Sequence, residues 1–183
     1  MELKKNPKAD LEKRRGLYLE IGLVVILAAV LMALELKSYD KEEKVRFGTY
    51  AHALLANVRH RDDVQSAVVR FADQTPLGDD ERRRLEDLVQ RVVTHPDSER
   101  FFQPEYEVKN ECDLTDGTAL GRPDRVVFTP METWVVDFKT GQDLGDLHDR
   151  QVRRYCTALE GMGYPRVSGW LIYLLPDIRV RQV

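Results

Sequence analysis

Asp137 and Lys139 stand two residues apart in the segment Thr133 to Lys139, whose composition reads as a β-strand, so both side chains leave the same face. Asp124, at the end of Gly121-Arg122-Pro123-Asp124, can join them from the neighbouring strand. Two converging carboxylates supply hard oxygen ligands for Mg2+ or Mn2+, ions that keep waters able to attack a phosphate. An ammonium beside them can orient that water or neutralise charge developing on phosphoryl oxygens. The chemistry expected of such a set is phosphodiester hydrolysis. His52, in Gly48-Thr49-Tyr50-Ala51-His52, is a further candidate metal ligand, although a lone histidine on an amphipathic helix also serves as a hydrogen-bonded core or surface residue. Asp124 and Asp137 have plainer alternatives too, as a turn residue and a salt-bridged strand end.

Gln151 and Tyr155 lie one helical turn apart and face the same way, either toward the site or simply over the sheet surface. Glu111 precedes Asp124 by one predicted strand and is a candidate acid, but Glu107, Lys109 and Asp113 alternate with it as a solvated edge would. Arg122, Arg125, Arg150, Arg153 and Arg154 are close to these motifs in sequence and could contact phosphates, or form surface ion pairs.

The elements that must position these groups follow from periodicity. Phe47 to Arg59, Val64 to Phe71 and Asp79 to Val93 carry apolar residues at helical spacing, with Asp62 and Asp63 as a start signal and His95-Pro96 as a stop. A short helical turn is expected near Ser98 to Phe102. Three strands follow, Tyr106 to Leu114, Leu120 to Phe128 and Thr133 to Lys139, with turns at Thr115-Asp116-Gly117 and near Pro130. A helix over Leu147 to Met162 and strands Val167 to Leu175 and Ile178 to Val183 complete an α/β arrangement, a mixed five-stranded sheet flanked by helices.

Taken in order, the four motifs, with RPDRVVF, WVVDFKTG and MGYPRVSGWLIYL, resemble the RecB-like branch of the PD-(D/E)XK nucleases, and residues 45–183 resemble the nuclease domain of AddA-type helicase-nucleases. The resemblance implies a restriction-endonuclease-like fold and a Mg2+-dependent exonuclease acting on DNA in repair or recombination. It implies His52, Asp124 and Asp137 as metal ligands, Lys139 as the residue that positions or activates water, and Gln151 and Tyr155 as supports or DNA contacts, with Glu111, Arg122 and Arg125 beside them. No GxxxxGK[ST] sequence occurs, so no ATP site of that kind is expected, and a helicase or repair partner would act in trans. Cys112 and Cys156 are too few for an iron–sulfur cluster or a structural zinc; buried thiols are the expectation, with a disulfide the alternative in an oxidising compartment.

Residues 17–36 form a 20-residue apolar stretch in which Ile21 to Leu34 lacks any charged side chain. That length spans a bilayer core of ~30 Å as a helix. A cleaved signal peptide and a buried core helix are the competing readings. Lys4, Lys5, Lys8, Lys13, Arg14 and Arg15 precede it and favour an N-terminus in the cytoplasm. The expected organisation is a basic leader over 1–16, an inner-membrane helix over 17–36, a junction over 37–44 and the catalytic domain over 45–183. Residues 1–40 also resemble the anchor of Bacteroidetes TonB-type energy transducers, which implies ExbB/ExbD-like motor partners; the Pro-rich spacer of such proteins does not follow. Residues 41–183 carry 21 basic and 25 acidic side chains, a net charge of −4. Phosphate neutralisation dominates nucleic-acid affinity, so this balance argues against strong autonomous DNA binding.

Overall fold

In a computed structural model the chain is described over residues 15–115, 119–141 and 143–183. Backbone contacts divide it into two units, 1–45 and 46–183. Helix α1 runs from Arg15 to Ala56. In the first unit it carries an 18-residue window of mean hydropathy 2.6, none of it buried, which makes it long and apolar enough to cross a membrane. The sequence had divided this region into an anchor, a junction and a separate helix from Phe47; the backbone is helical through all three.

The second unit places α2 (Val64–Gln74) and α3 (Asp79–Thr94) after the last turns of α1, followed, among the described residues, by seven strands and one more helix. A 3-10 turn at Arg61–Asp63 precedes α2, where the His60 N–H donates to Asp63 Oδ2 at 3.1 Å, so the acidic pair marks the helix start as expected. The strands are β1 (Glu107–Asn110), β2 (Leu114–Thr115), β3 (Ala119–Gly121), β4 (Arg125–Phe128), β5 (Thr133–Lys139), β6 (Val167–Tyr173) and β7 (Arg179–Gln182), with α4 (Asp146–Gly161) between β5 and β6. The main sheet has the order β1-β4-β5-β6-β7, antiparallel except for the parallel β5–β6 pair that α4 crosses over.

This is the expected five-stranded mixed sheet, reached by a different route. The first two predicted strands each break in two. The first breaks at Glu111, whose φ is 48°, and the second after Gly121, whose φ is 125°. The outer pieces, β2 and β3, pair with each other as a separate ribbon that packs on α4. Within the expected turn, Asp116 and Gly117 lie outside the described residues.

The sheet is apolar on both faces. Val127, Val136, Phe138, Ile172 and Leu174 pack under Leu54, Leu55, Val68, Leu88, Val92 and the aromatic pair Phe101 and Phe102. Val126, Val135, Leu171 and Tyr173 pack under Val152, Tyr155 and Leu159 of α4. Along β5, therefore, Val136 and Phe138 belong to the α1 side, and Val135 points to the α4 side as Asp137 and Lys139 must.

Candidate active site

The break before β4 decides where Asp124 sits. It lies in the bend that precedes Arg125 rather than inside a strand, and its carbonyl accepts the Glu111 N–H at 3.0 Å, so the two chain breaks are tied together. The bend turns the Asp124 carboxylate onto the end of β5, where Oδ2 accepts the Phe138 N–H at 2.7 Å. The same oxygen is 3.5 Å from His52 Nδ1, which arrives from α1 on the opposite layer. Asp137 is 2% exposed and its Oδ2 pairs with the Lys139 ammonium, yet that oxygen has no well-aligned hydrogen-bond donor. Lys139 Nζ donates to Gln151 Oε1 at 3.0 Å, and Gln151 Nε2 donates to Tyr155 Oη at 3.0 Å. The expected His52, Asp124, Asp137, Lys139, Gln151 and Tyr155 are thus one connected group at one end of β5.

Two glycines from the sequence motifs make this assembly possible. A Cβ on Gly121 would stand 2.9 Å from the Tyr155 ring, in addition to the positive φ that disfavours any side chain there. Tyr155 therefore supports the bend that carries Asp124 while its hydroxyl reaches the Gln151–Lys139 chain. A Cβ on Gly48 would stand 2.6 Å from Thr140 Oγ1, so α1 lies directly against the residue after Lys139, one helical turn before His52.

Arg125 corrects the expectation that it contacts DNA. It is fully buried, and its guanidinium donates to the carbonyls of Phe101, Val58 and Arg59 and to Asn110 Oδ1. Asn110 Nδ2 donates to the Ala56 and Val58 carbonyls, both at 2.9 Å. The carbonyls at a helix C-terminus lack partners within the helix. Asn110 supplies one to Ala56 at the end of α1, and Asn110 and Arg125 serve the carbonyls of the segment that follows, Val58 and Arg59, which fixes the end of α1 and hence His52 over the sheet. Sequence proximity to Asp124 suggested a surface role, but strand alternation sends successive side chains opposite ways.

Arg122 is exposed and donates to Asp113 Oδ1 at 2.8 Å. Glu111 is exposed at the first break and close enough for its charge to raise the Asp124 pKa. Arg150, Arg153 and Arg154 lie on the outer side of α4 with Thr157, Ala158, Gly161 and Met162, around an open groove of about 770 Å3. They are not part of the group at the end of β5.

Electrostatics describe a site short of positive charge. The Asp124 carboxyl is pushed up to about 7, first by burial and then by the Asp137 charge, against the Phe138 hydrogen bond and Lys139. Burial lowers the His52 pKa most, with Asp137 opposing and Lys139 assisting, so the imidazole is neutral near pH 7. Among the described residues no three His, Cys, Asp or Glu side chains form a preformed metal cage. The donor set nonetheless fits a divalent cation: two carboxylates that repel each other, an Asp137 oxygen without an aligned donor, and a neutral imidazole.

The fold and this group define a restriction-endonuclease-like α/β domain with an Asp…Asp-x-Lys site. The chain belongs to the PD-(D/E)XK nuclease superfamily, whose family description matches residues 28–180. A comparison with curated proteins gives no match. Gly121 and Gly48 belong to the sequence motifs, but their need for close approach is visible only in three dimensions.

Proposed function

We propose that the 46–183 unit hydrolyses DNA phosphodiester bonds with Mg2+ as its metal, as a RecB/AddA-like nuclease module whose strand separation comes from a partner. The observation that carries this reading is the convergence of Asp124 and Asp137 at the end of β5 with Lys139 beside them. His52, Asp124 and Asp137 would hold the metal. A bound divalent ion supplies Lewis acidity toward a phosphate oxygen and lowers the pKa of coordinated water. Lys139, held by Gln151, presents an ammonium to the charge that develops on phosphorus. Phe138 N–H and the Gly121–Tyr155 contact keep Asp124 aimed at that place. The slight net negative charge of the domain accords with a module that receives its strand rather than capturing duplex by charge.

The test is cleavage of labelled single- and double-stranded DNA by the full chain in detergent, with Mg2+, Mn2+ or chelator, beside Asp137→Ala and Lys139→Ala. Metal-dependent cleavage lost in both variants supports the reading. Cleavage that survives Asp137→Ala unchanged sinks it. A second reading, a membrane-anchored binding module on a nuclease fold, draws on the exposed apolar stretch of α1. It predicts membrane association through residues 17–36 with DNA binding but no cleavage under any of these metals.

A further inference from the structure

His148, Gln151 and Tyr155 recur at helical spacing on α4 and form one stripe toward the sheet. The last two belong to the site above; His148 does not, yet it is buried on the same face. Its Nδ1 is 3.1 Å from Tyr173 Oη, and Tyr173 Oη is 2.5 Å from Asp143 Oδ1. Tyr173 is the register partner of Lys139 across the parallel β5–β6 pair, so the His148–Tyr173 contact lies one strand away from Lys139.

Counting protons fixes the tautomer. The hydrogen bond from Tyr173 and then the Gly145 N–H hold Asp143 below the usual carboxylate range, so Asp143 is an acceptor. The single Tyr173 hydroxyl hydrogen is committed to it. The contact at Nδ1 therefore requires His148 to be the donor, and Nε2 carries the lone pair. Nε2 has no hydrogen-bond partner among the described residues. The charged groups around this imidazole are Lys139 and Asp137 from β5, Asp143 from the loop before α4, and Arg181 from β7, itself ion-paired with Asp149 at 2.6 Å. Burial, then Lys139, disfavours protonation of His148, against Asp137 and Asp143.

We infer that His148, oriented by the Tyr173–Asp143 pair, is a further proton acceptor of this hydrolytic site. As the water oxygen bonds to phosphorus, the water proton passes to Nε2; the phosphorus–ester oxygen bond breaks, and the leaving sugar oxygen takes a proton from solvent. This rests on the nuclease reading.

His148→Asn is the discriminating variant, because its amide nitrogen takes the place of Nδ1 and keeps the donor to Tyr173 while Nε2 is lost. In the full chain, 15N NMR of labelled histidines, assigned through that variant, is expected to show His148 as the Nδ1–H tautomer at neutral pH. An Nε2–H tautomer overturns the inference whatever the cleavage assay gives. In Mg2+-dependent cleavage, His148→Asn is expected to lose about a hundredfold in rate with metal affinity by calorimetry unchanged. Imidazole added to His148→Ala is expected to restore part of the rate, which a purely structural role would not produce. Wild-type cleavage by the Asn variant overturns the role of His148 alone; no metal-dependent cleavage by the wild-type chain overturns the nuclease reading, and the role with it.

Discussion

Replacing Asp124 by Asn tests whether the site is short of positive charge in the way its geometry requires. Folding raises the Asp124 pKa from its usual 3.8 to about 7. An acid with a raised native pKa holds its proton more tightly folded than unfolded, so its stabilisation is complete below the unfolded value and is lost as pH rises through the native one. Between pH 5 and pH 8 the metal-free wild-type chain should therefore lose about 2–3 kcal/mol from this group. Asn is nearly isosteric, still accepts the Phe138 N–H, and carries no charge to repel Asp137. Urea unfolding in chelator at pH 5, 6, 7 and 8 should show the two proteins diverging, with Asp124→Asn the more stable by that amount at pH 8. Mg2+ at about a hundred times its dissociation constant adds about 2.7 kcal/mol to the wild type and should recover the loss, but should do little for the variant. A wild-type minus variant difference that stays flat between pH 5 and pH 8 would refute the argument that Asp124 is an electrostatically frustrated carboxylate awaiting a cation.

Proton and metal compete for the same carboxylate, so Mg2+ affinity by calorimetry should fall about tenfold from pH 8 to pH 6. Lys139→Ala should lower the cleavage rate by about 10²–10³ while Mg2+ still binds, because the two carboxylates remain. Gly121→Ala must displace the Tyr155 ring and hold a positive φ, and should cost about 2–4 kcal/mol in urea unfolding with a parallel loss of cleavage. Arg125→Met leaves the carbonyls of Arg59 and Phe101 without their side-chain donors, and Val58 with Asn110 alone, and should cost about 3–5 kcal/mol, read as a lower thermal midpoint. A folded Arg125→Met protein whose only defect is weaker DNA binding would count against that burial.

The local rules that relate sequence to side-chain direction were enough for much of the site. Two residues apart on a strand placed Asp137 and Lys139 on one face, and four apart on a helix placed Gln151 and Tyr155 on one stripe. Apolar periodicity likewise specified the helices and the five-stranded mixed sheet, and the run from Leu17 to Leu36 marked a stretch whose apolar side chains find no core. What the tertiary structure decided are the features that depend on residues distant in sequence. Alternating composition runs unbroken through Glu111 and Gly121, yet the strands break there because the Tyr155 ring and the Glu111–Asp124 backbone bond hold the chain in a bend. That bend, not a strand, aims Asp124. Arg125 looked like a surface cation until the carbonyls of Val58 and Arg59, just beyond α1, and of Phe101 became its partners, and His148 acquired a defined tautomer only when β6 brought Tyr173 beneath it. Periodicity fixes which way a side chain leaves its own element; the partner it meets is set by how the elements pack, and the charge and proton state of a group follow from that partner.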